Sequence, residues 1–185
     1  MAQILFITGG ARSGKSDYAQ TRAEEFPGKH FFLATCPVVD QEMTDRIKRH
    51  QQGRKKSIWQ TIEEEVTVSR VLDTLPEDSI CLLDCLTLWV NNLLYRAELD
   101  KTDFNENTIN SHMKVFLDAA EKYKGMLICV SNEVGMGIVP DNPAARMYRD
   151  CVGRCNRLLA AAADEVVLVS CGLPLILKKN DLINP

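Results

Sequence analysis

The sequence is short of histidine (three), tryptophan (two) and long apolar runs, and each shortage removes a class of function. No apolar stretch reaches 18 residues, so no segment is suited to span a membrane as a helix. The N-terminus passes straight into an apolar segment, without a basic region or a small-residue cleavage site, and the expectation is a chain that is not exported. Surplus positive charge is missing too. Lys and Arg number 22 against 25 Asp and Glu, for a formal charge of −3 and a pI of about 5.7. That balance argues against nucleic-acid or anionic-membrane partners, so any cationic site must be local. The seven cysteines include no C-x2-C pair; Cys81/Cys85 and Cys151/Cys155 are each separated by three residues. They read as reduced, buried small hydrophobes in a reducing cytoplasm rather than as zinc ligands or disulfides. Repeats, low-complexity tracts and linkers are likewise absent. The expected organisation is one domain over residues 1–178 and a frayed tail over 179–185, large enough to be stable without a disulfide or metal staple.

What is present begins with Gly9-Gly10-Ala11-Arg12-Ser13-Gly14-Lys15-Ser16, placed after the apolar run Ile4-Leu5-Phe6-Ile7-Thr8 and before a helix-compatible segment. It fits G-x-x-x-x-G-K-[ST]. The glycines let the backbone turn tightly and aim successive N–H groups at phosphate oxygens, Lys15 supplies charge, and the Ser16 hydroxyl can ligate Mg²⁺. A merely structural strand-to-helix turn would need neither Lys15 nor Ser16.

Along the chain, strand-like and helix-like segments alternate, the pattern of an α/β domain with a mostly parallel sheet flanked by helices. Strands are expected over Gln3–Thr8, Phe31–Thr35, Ile80–Asp84 and Met126–Ser131. Helices are expected over Lys15–Phe26, Asp40–Gln52, Ile62–Leu75, Leu86–Leu99, Thr108–Tyr123 and from Asn142 or Pro143 to Ala163. The helix over Ile62–Leu75 rests on Val66, Val68, Val71 and Leu72; the one after Asp84 is apolar on several sides, as a well-buried or subunit-contacting helix is. Val166–Cys171 and Leu175–Leu177, flanking Gly172-Leu173-Pro174, suggest a C-terminal antiparallel hairpin.

Ligands of open parallel sheets bind beyond the carboxyl ends of the strands. The residues there are the glycine-rich loop, Thr35-Cys36, Asp84 and Asn132-Glu133. Asp84 suits a strand-ending carboxylate that reaches Mg²⁺ beside bound phosphates, the alternative being a cap on the following helix. Glu133 is open between orienting a substrate hydroxyl, contacting the metal and satisfying loop N–H groups. A second stretch, Asp45 to Lys56, sets Arg46, His50, Gly53 and Arg54 on one helical face. By pattern alone this is either a solvated basic helix with an incidental histidine or a nucleophilic imidazole. In the second case the surrounding cations attract polyphosphate and lower the histidine's pKa.

Several stretches taken together are more specific. They are Ile-Thr-Gly-Gly-Ala-Arg-Ser-Gly-Lys-Ser (7–16), Leu-Ala-Thr (33–35), Arg-Ile-x-x-His-x-x-Gly-Arg (46–54), Trp59 with Glu63, and Leu-Leu-Asp-Cys-Leu-Thr (82–87). Ser-Asn-Glu-Val-Gly-Met-Gly-Ile-Val-Pro (131–140), Arg149-Asp150 with Gly153-Arg154-x-Asn156, and Ala-Ala-Ala-Asp-Glu-Val (161–166) complete the set. From about Met1 to Lys178 the chain resembles the bifunctional adenosylcobinamide kinase/adenosylcobinamide-phosphate guanylyltransferase family of cobalamin assembly. The resemblance implies a RecA-like P-loop fold, a homotrimer and two reactions. A nucleoside triphosphate, ATP or GTP, phosphorylates adenosylcobinamide, and GTP then donates GMP to the new phosphate through a GMP-histidine. By motif that histidine is His50; some relatives carry two adjacent histidines where this chain has Arg49 before it. The nucleotide contacts so implied fall on Gly9, Gly10, Ala11, Arg12, Ser13, Gly14, Lys15, Ser16, Ala34, Thr35, Cys36, Gln51, Gln52, Gly53, Arg54, Glu63 and Asp84. Cys36, Gln51 and Gln52 would act through backbone atoms, and Ser16 and Asp84 would hold Mg²⁺. Lys15 and His50 are the implied catalytic residues. Two rival readings differ in chemistry. A regulatory GTPase would need Asn-Lys-x-Asp after a strand and a strand-ending Asp-x-x-Gly; the chain has Ser131-Asn132-Glu133 and, inside a helix pattern, Asp150-x-x-Gly153. A one-step kinase of another small alcohol would leave His50 without a role.

Overall fold

The computed structural model describes residues 2–36 and 58–180. The helix expected over Asp40–Gln52, the residues His50, Gln51, Gln52, Gly53 and Arg54, and the tail from 181 onward lie outside the described residues.

The order of elements is β1 (Gln3–Gly9), α1 (Lys15–Glu24), β2 (His30–Ala34), β3 (Trp59–Glu63), α2 (Val68–Leu72), β4 (Ile80–Asp84) and α3 (Leu86–Leu99). After these come α4 (Glu106–Lys122), β5 (Met126–Asn132), α5 (Pro143–Ala162), β6 (Glu165–Ser170) and β7 (Leu173–Lys179). They build one seven-stranded sheet in the order β3-β2-β4-β5-β1-β6-β7. The first six strands run parallel, and β7 returns antiparallel to β6, the expected C-terminal hairpin.

Period-two alternation sends neighbouring side chains of the central strands to opposite faces. Ile4 and Phe6 of β1, Cys81 and Leu83 of β4, and Leu127 and Cys129 of β5 join a core with α2, α3, α4 and α5. Leu5, Ile7, Ile80, Leu82, Ile128 and Val130 face the other way, where Ala19 and Ala23 of α1 cover them. These strands are fully buried, which is why they read as unbroken apolar runs. A paired charge locks α1 to the sheet: the Arg22 guanidinium donates to both Glu165 carboxylate oxygens at 2.8 and 3.3 Å. That hydrogen bonding to Glu165 holds the guanidinium above its usual range against the opposing effect of burial.

Two expectations need correction. The segment expected as a helix over Ile62–Leu75 opens as an edge strand, β3, and is helical only over Val68–Leu72. Trp59 anchors the strand: its ring packs edge-on to His30 with centroids 5.1 Å apart, and its indole N–H donates to Glu24 at 3.1 Å. Glu64 then resets the chain, one carboxylate oxygen accepting the N–H groups of Val66 and Thr67 at 2.8 and 2.7 Å. Helix α4 also begins earlier than expected, because Asn105 and Thr108 form a reciprocal capping box inside what reads as a loop. Strand β7 extends to Lys179, one residue into the expected tail. No disulfide joins any of the seven cysteines, and Cys171 is the exposed one. Among the described residues no helix is long and apolar enough to cross a membrane.

Candidate nucleotide site at the carboxyl edge of the sheet

Because β1 to β6 are parallel, their carboxyl ends share one edge, and that edge gathers those sequence candidates that lie among the described residues. Strand β1 delivers the glycine-rich loop between β5 and β6, with Gly9 level with Asn132 and Val169. A β-carbon at Gly9 would collide with the Val169 carbonyl and lie 2.7 Å from Ser13 Oγ, so only glycine lets the chain turn there. Gly14 takes a left-handed conformation (φ 91°) at the N-cap of α1, and this turns the following N–H groups into the loop. The loop is braced from both sides: Glu133 N–H donates to the Gly9 carbonyl at 2.9 Å and Gly172 N–H to the Ser13 carbonyl at 2.8 Å. Lys15 is 8% exposed and its ammonium donates to the Gly10 carbonyl at 3.0 Å, folded over the loop it would share with phosphates.

The loop is polar beyond its own needs. Thr8 Oγ1, Ser13 Oγ and Ser131 Oγ are buried and find no hydrogen-bond partner among the described residues. Orphaned buried hydroxyls are costly, and three at one edge suit a polar ligand that would satisfy them. A triphosphate fits this donor set. Among the described residues no three His, Cys, Asp or Glu side chains converge as a metal cage. A hard divalent ion held by Ser16 and Asp84 would therefore draw further oxygens from phosphate and water, as Mg²⁺ does.

Across the same edge, Ala34 is level with Asp84 on one side and Glu63 on the other, so three of the sequence candidates stand in a row. Strand β5 separates β4 from β1, which sets Asp84 one strand away from the loop. Asp84 is not the cap of α3: the cap position is Cys85, whose side chain makes no capping hydrogen bond. Burial, followed by the neighbouring Asp84 charge, pushes the Cys85 thiol up to about 11, so it is a protonated hydrophobe and no nucleophile. Thr35 is fully buried, its hydroxyl accepting the Cys85 N–H at 2.9 Å and donating to the Cys85 carbonyl at 2.8 Å. It pins the ends of β2 and β4 together, leaving Cys36, which is partly exposed, nearer to solvent. Glu133 accepts the Gly135 N–H at 3.1 Å, the loop-satisfying option among its three.

The sequence reading passed over the frame behind this edge. Asn92, 7% exposed on α3, donates to the carbonyls of Thr35 at 2.8 Å and Glu65 at 3.0 Å. Asn132 donates to Thr87 Oγ1 at 2.8 Å, the Tyr148 hydroxyl donates to the Thr87 carbonyl at 3.1 Å, and Asn156 donates to the Asn132 carbonyl at 3.2 Å. The available signal was an asparagine on the otherwise apolar inner side of α3, a costly placement unless its amide is fully used.

The family model described as cobinamide kinase / cobinamide phosphate guanyltransferase matches residues 5–177. A bifunctional adenosylcobalamin biosynthesis protein, CobU, of Salmonella typhimurium is 40% identical, the match covering 95% of this chain and 99% of that protein. CobU of Escherichia coli is 36% identical over 95% of this chain and 99% of its own length, and CobP of Pseudomonas aeruginosa 36% over 95% and 98%. Among solved structures, an ATPase of the type III secretion system of pathogenic bacteria superposes with a TM-score of 0.59 at 11% identity, covering 94% of this chain and 56% of that one. At that identity the likeness concerns the P-loop ATPase fold alone.

Proposed function

The chain belongs to the cobinamide kinase / cobinamide phosphate guanyltransferase family, and on that premise we propose that its P-loop edge serves both family reactions in turn. In the first, the hydroxyl of adenosylcobinamide attacks the γ-phosphorus of a nucleoside triphosphate, ATP or GTP, and the diphosphate leaves. In the second, the His50 imidazole attacks the α-phosphorus of GTP. A P–N bond forms, the α–β P–O bond breaks and pyrophosphate departs. An oxygen of adenosylcobinamide phosphate then displaces the imidazole, giving adenosylcobinamide-GDP. Splitting the transfer this way lets a weakly nucleophilic phosphate accept GMP from a reactive phosphoramidate.

The N–H groups of Gly9 to Ser16 and the Lys15 ammonium would spread transition-state charge over the phosphates. Ser16 and Asp84 would hold Mg²⁺, whose contribution is further neutralisation of that charge. Ala34, Cys36, Glu63 and the stretch Gln51 to Arg54 would surround the rest of the nucleotide, with Thr35 fixing the floor. The observation that carries the reading is the set of orphaned hydroxyls at Thr8, Ser13 and Ser131, at the sheet edge whose loop also holds Lys15. Residues 1–178 would act as one domain, and seven cysteines without a disulfide support a cytoplasmic setting. Exposed Leu173, Leu175, Ile176 and Leu177 of β7, with Tyr95 and Leu99 of α3, support self-association, for which the resemblance implies a homotrimer.

Incubation with α-labelled GTP tests the scheme. An acid-labile adduct should form on the wild-type chain and not on His50→Ala, whereas His50→Ala should still phosphorylate cobinamide. Label retained by His50→Ala would remove His50 as the nucleophile, and no adduct on any form would leave a plain kinase.

A further inference from the structure

Away from the phosphate loop, the amino-terminal halves of α4 and α5 leave a groove at the same end of the sheet. One part, of about 410 Å³, lies between Asn105 at the cap of α4, Glu106 and Asn110 on α4, and Met147, Asp150 and Arg154 on α5. A second part, of about 350 Å³, shares Glu106, Asp150 and Arg154 and continues past Arg149 and Gly153 to Gly135 in the loop after β5. That loop leaves the nucleotide edge directly, since Glu133, two residues before Gly135, donates its N–H to Gly9. Beyond Gly135 it exposes Met136, Ile138 and Val139 at 79, 95 and 57%.

Two features of the groove have no explanation within the described chain. Nη1 of Arg149 is buried without a hydrogen-bond partner among the described residues. Gly153 sits in the middle of a 20-residue helix, where glycine costs stability relative to alanine, yet a β-carbon there would meet nothing within 4 Å. The missing side chain leaves open a space that the described residues do not fill. Donors and acceptors alternate around that space, with guanidinium groups beside carboxylates and asparagine amides, and an apolar loop adjoins it.

Resting on the function proposed above, we propose that this groove and the Met136–Val139 loop form the corrinoid seat. The primary carboxamides on the rim of the macrocycle would enter the groove, where an amide can accept from arginine and donate to Glu106 or Asp150. The apolar face of the ring would lie on Met136, Ile138 and Val139. Such a seat begins at the loop next to Gly9, which lets the aminopropanol arm of the same molecule reach toward the γ-phosphate.

The test is titration of the full-length protein with adenosylcobinamide, followed by its visible absorbance, with GTP binding and sedimentation measured in parallel. Gly153→Leu fills the groove with a good helix former, so it should raise the melting temperature, leave GTP affinity as in the wild type and weaken cobinamide binding about ten-fold or more. Ile138→Asp, at a fully solvated position, should weaken cobinamide binding in the same way. Unchanged cobinamide affinity in both variants would overturn the assignment. A changed oligomeric state in either variant would assign this face to a second copy of the chain and overturn it as well. No corrinoid binding by the wild-type protein would overturn both this seat and the function on which it rests.

Discussion

Replacing Thr35 by valine tests whether the floor of the nucleotide site is held by one hydroxyl. Valine has nearly the same shape, so no cavity opens. What is lost is the pair of hydrogen bonds to Cys85, whose N–H and carbonyl lie 2.9 and 2.8 Å from the threonine oxygen in a fully buried setting. Each backbone group left without a partner costs about 1–3 kcal/mol, so Thr35→Val should destabilise the fold by about 3 kcal/mol. Thr35→Ser keeps the oxygen and removes one methyl, for a loss of about 1 kcal/mol. With a urea slope of about 2 kcal/mol/M for a chain of this size, the unfolding midpoints should fall by about 1.5 M and about 0.5 M respectively. Because Cys85 follows Asp84, Mg²⁺-GTP should also protect the valine variant less against heat than it protects the serine variant. Equal midpoints for the two variants would refute the reasoning, since they differ chiefly in the hydroxyl.

Two further outcomes follow from the described geometry. Lys15→Met, which keeps the buried stem and removes the ammonium at the Gly10 carbonyl, should weaken GTP and ATP binding about 10- to 100-fold in calorimetry and impair both transfers. Burial holds the His112 imidazole, which lies edge-on to Trp89, below its ordinary value of 6.5. The unfolded chain therefore takes up a proton near that value while the folded one resists until lower pH. Stability should decline as pH falls from about 7 through that window, and thermal melts of His112→Gln should show a shallower decline.

The buried strands and the phosphate loop were legible because their signals are local. An apolar run between glycines, or G-x-x-x-x-G-K-S, needs no knowledge of the rest of the chain. Strand β3 was not legible. It has a single neighbour, it buries Trp59 and leaves Gln60 exposed, and the valines from Val66 onward outweighed it in a helical count. The start of α4 was missed because Asn105 and Thr108 act through a reciprocal cap rather than through hydrophobic periodicity. Pro174 suggested a break before Leu175, yet on the outer strand a residue without an N–H costs no ladder bond, and β7 starts at Leu173. The candidate site was legible as a list of residue types, whereas the Asn92 and Asn132 contacts depend on partners 24 to 57 positions away. The groove between α4 and α5 joins residues near 106 to residues near 150, a distance no short motif spans.

Strand β1 and its loop find their partners far along the chain. Gln3 pairs with Met126 and Leu5 with Glu165, and the Ser13 carbonyl is bonded by Gly172 N–H. Roughly 160 residues separate Ser13 from Gly172, so at 5–20 residues per second the phosphate loop waits on the order of ten to thirty seconds for its brace. A chain interrupted before β6 would carry the phosphate-binding sequence on an unpaired edge of Ile4, Leu5, Phe6 and Ile7. Pairing of β6 along β1 covers that edge, and the turn after β6 closes the loop through Gly172.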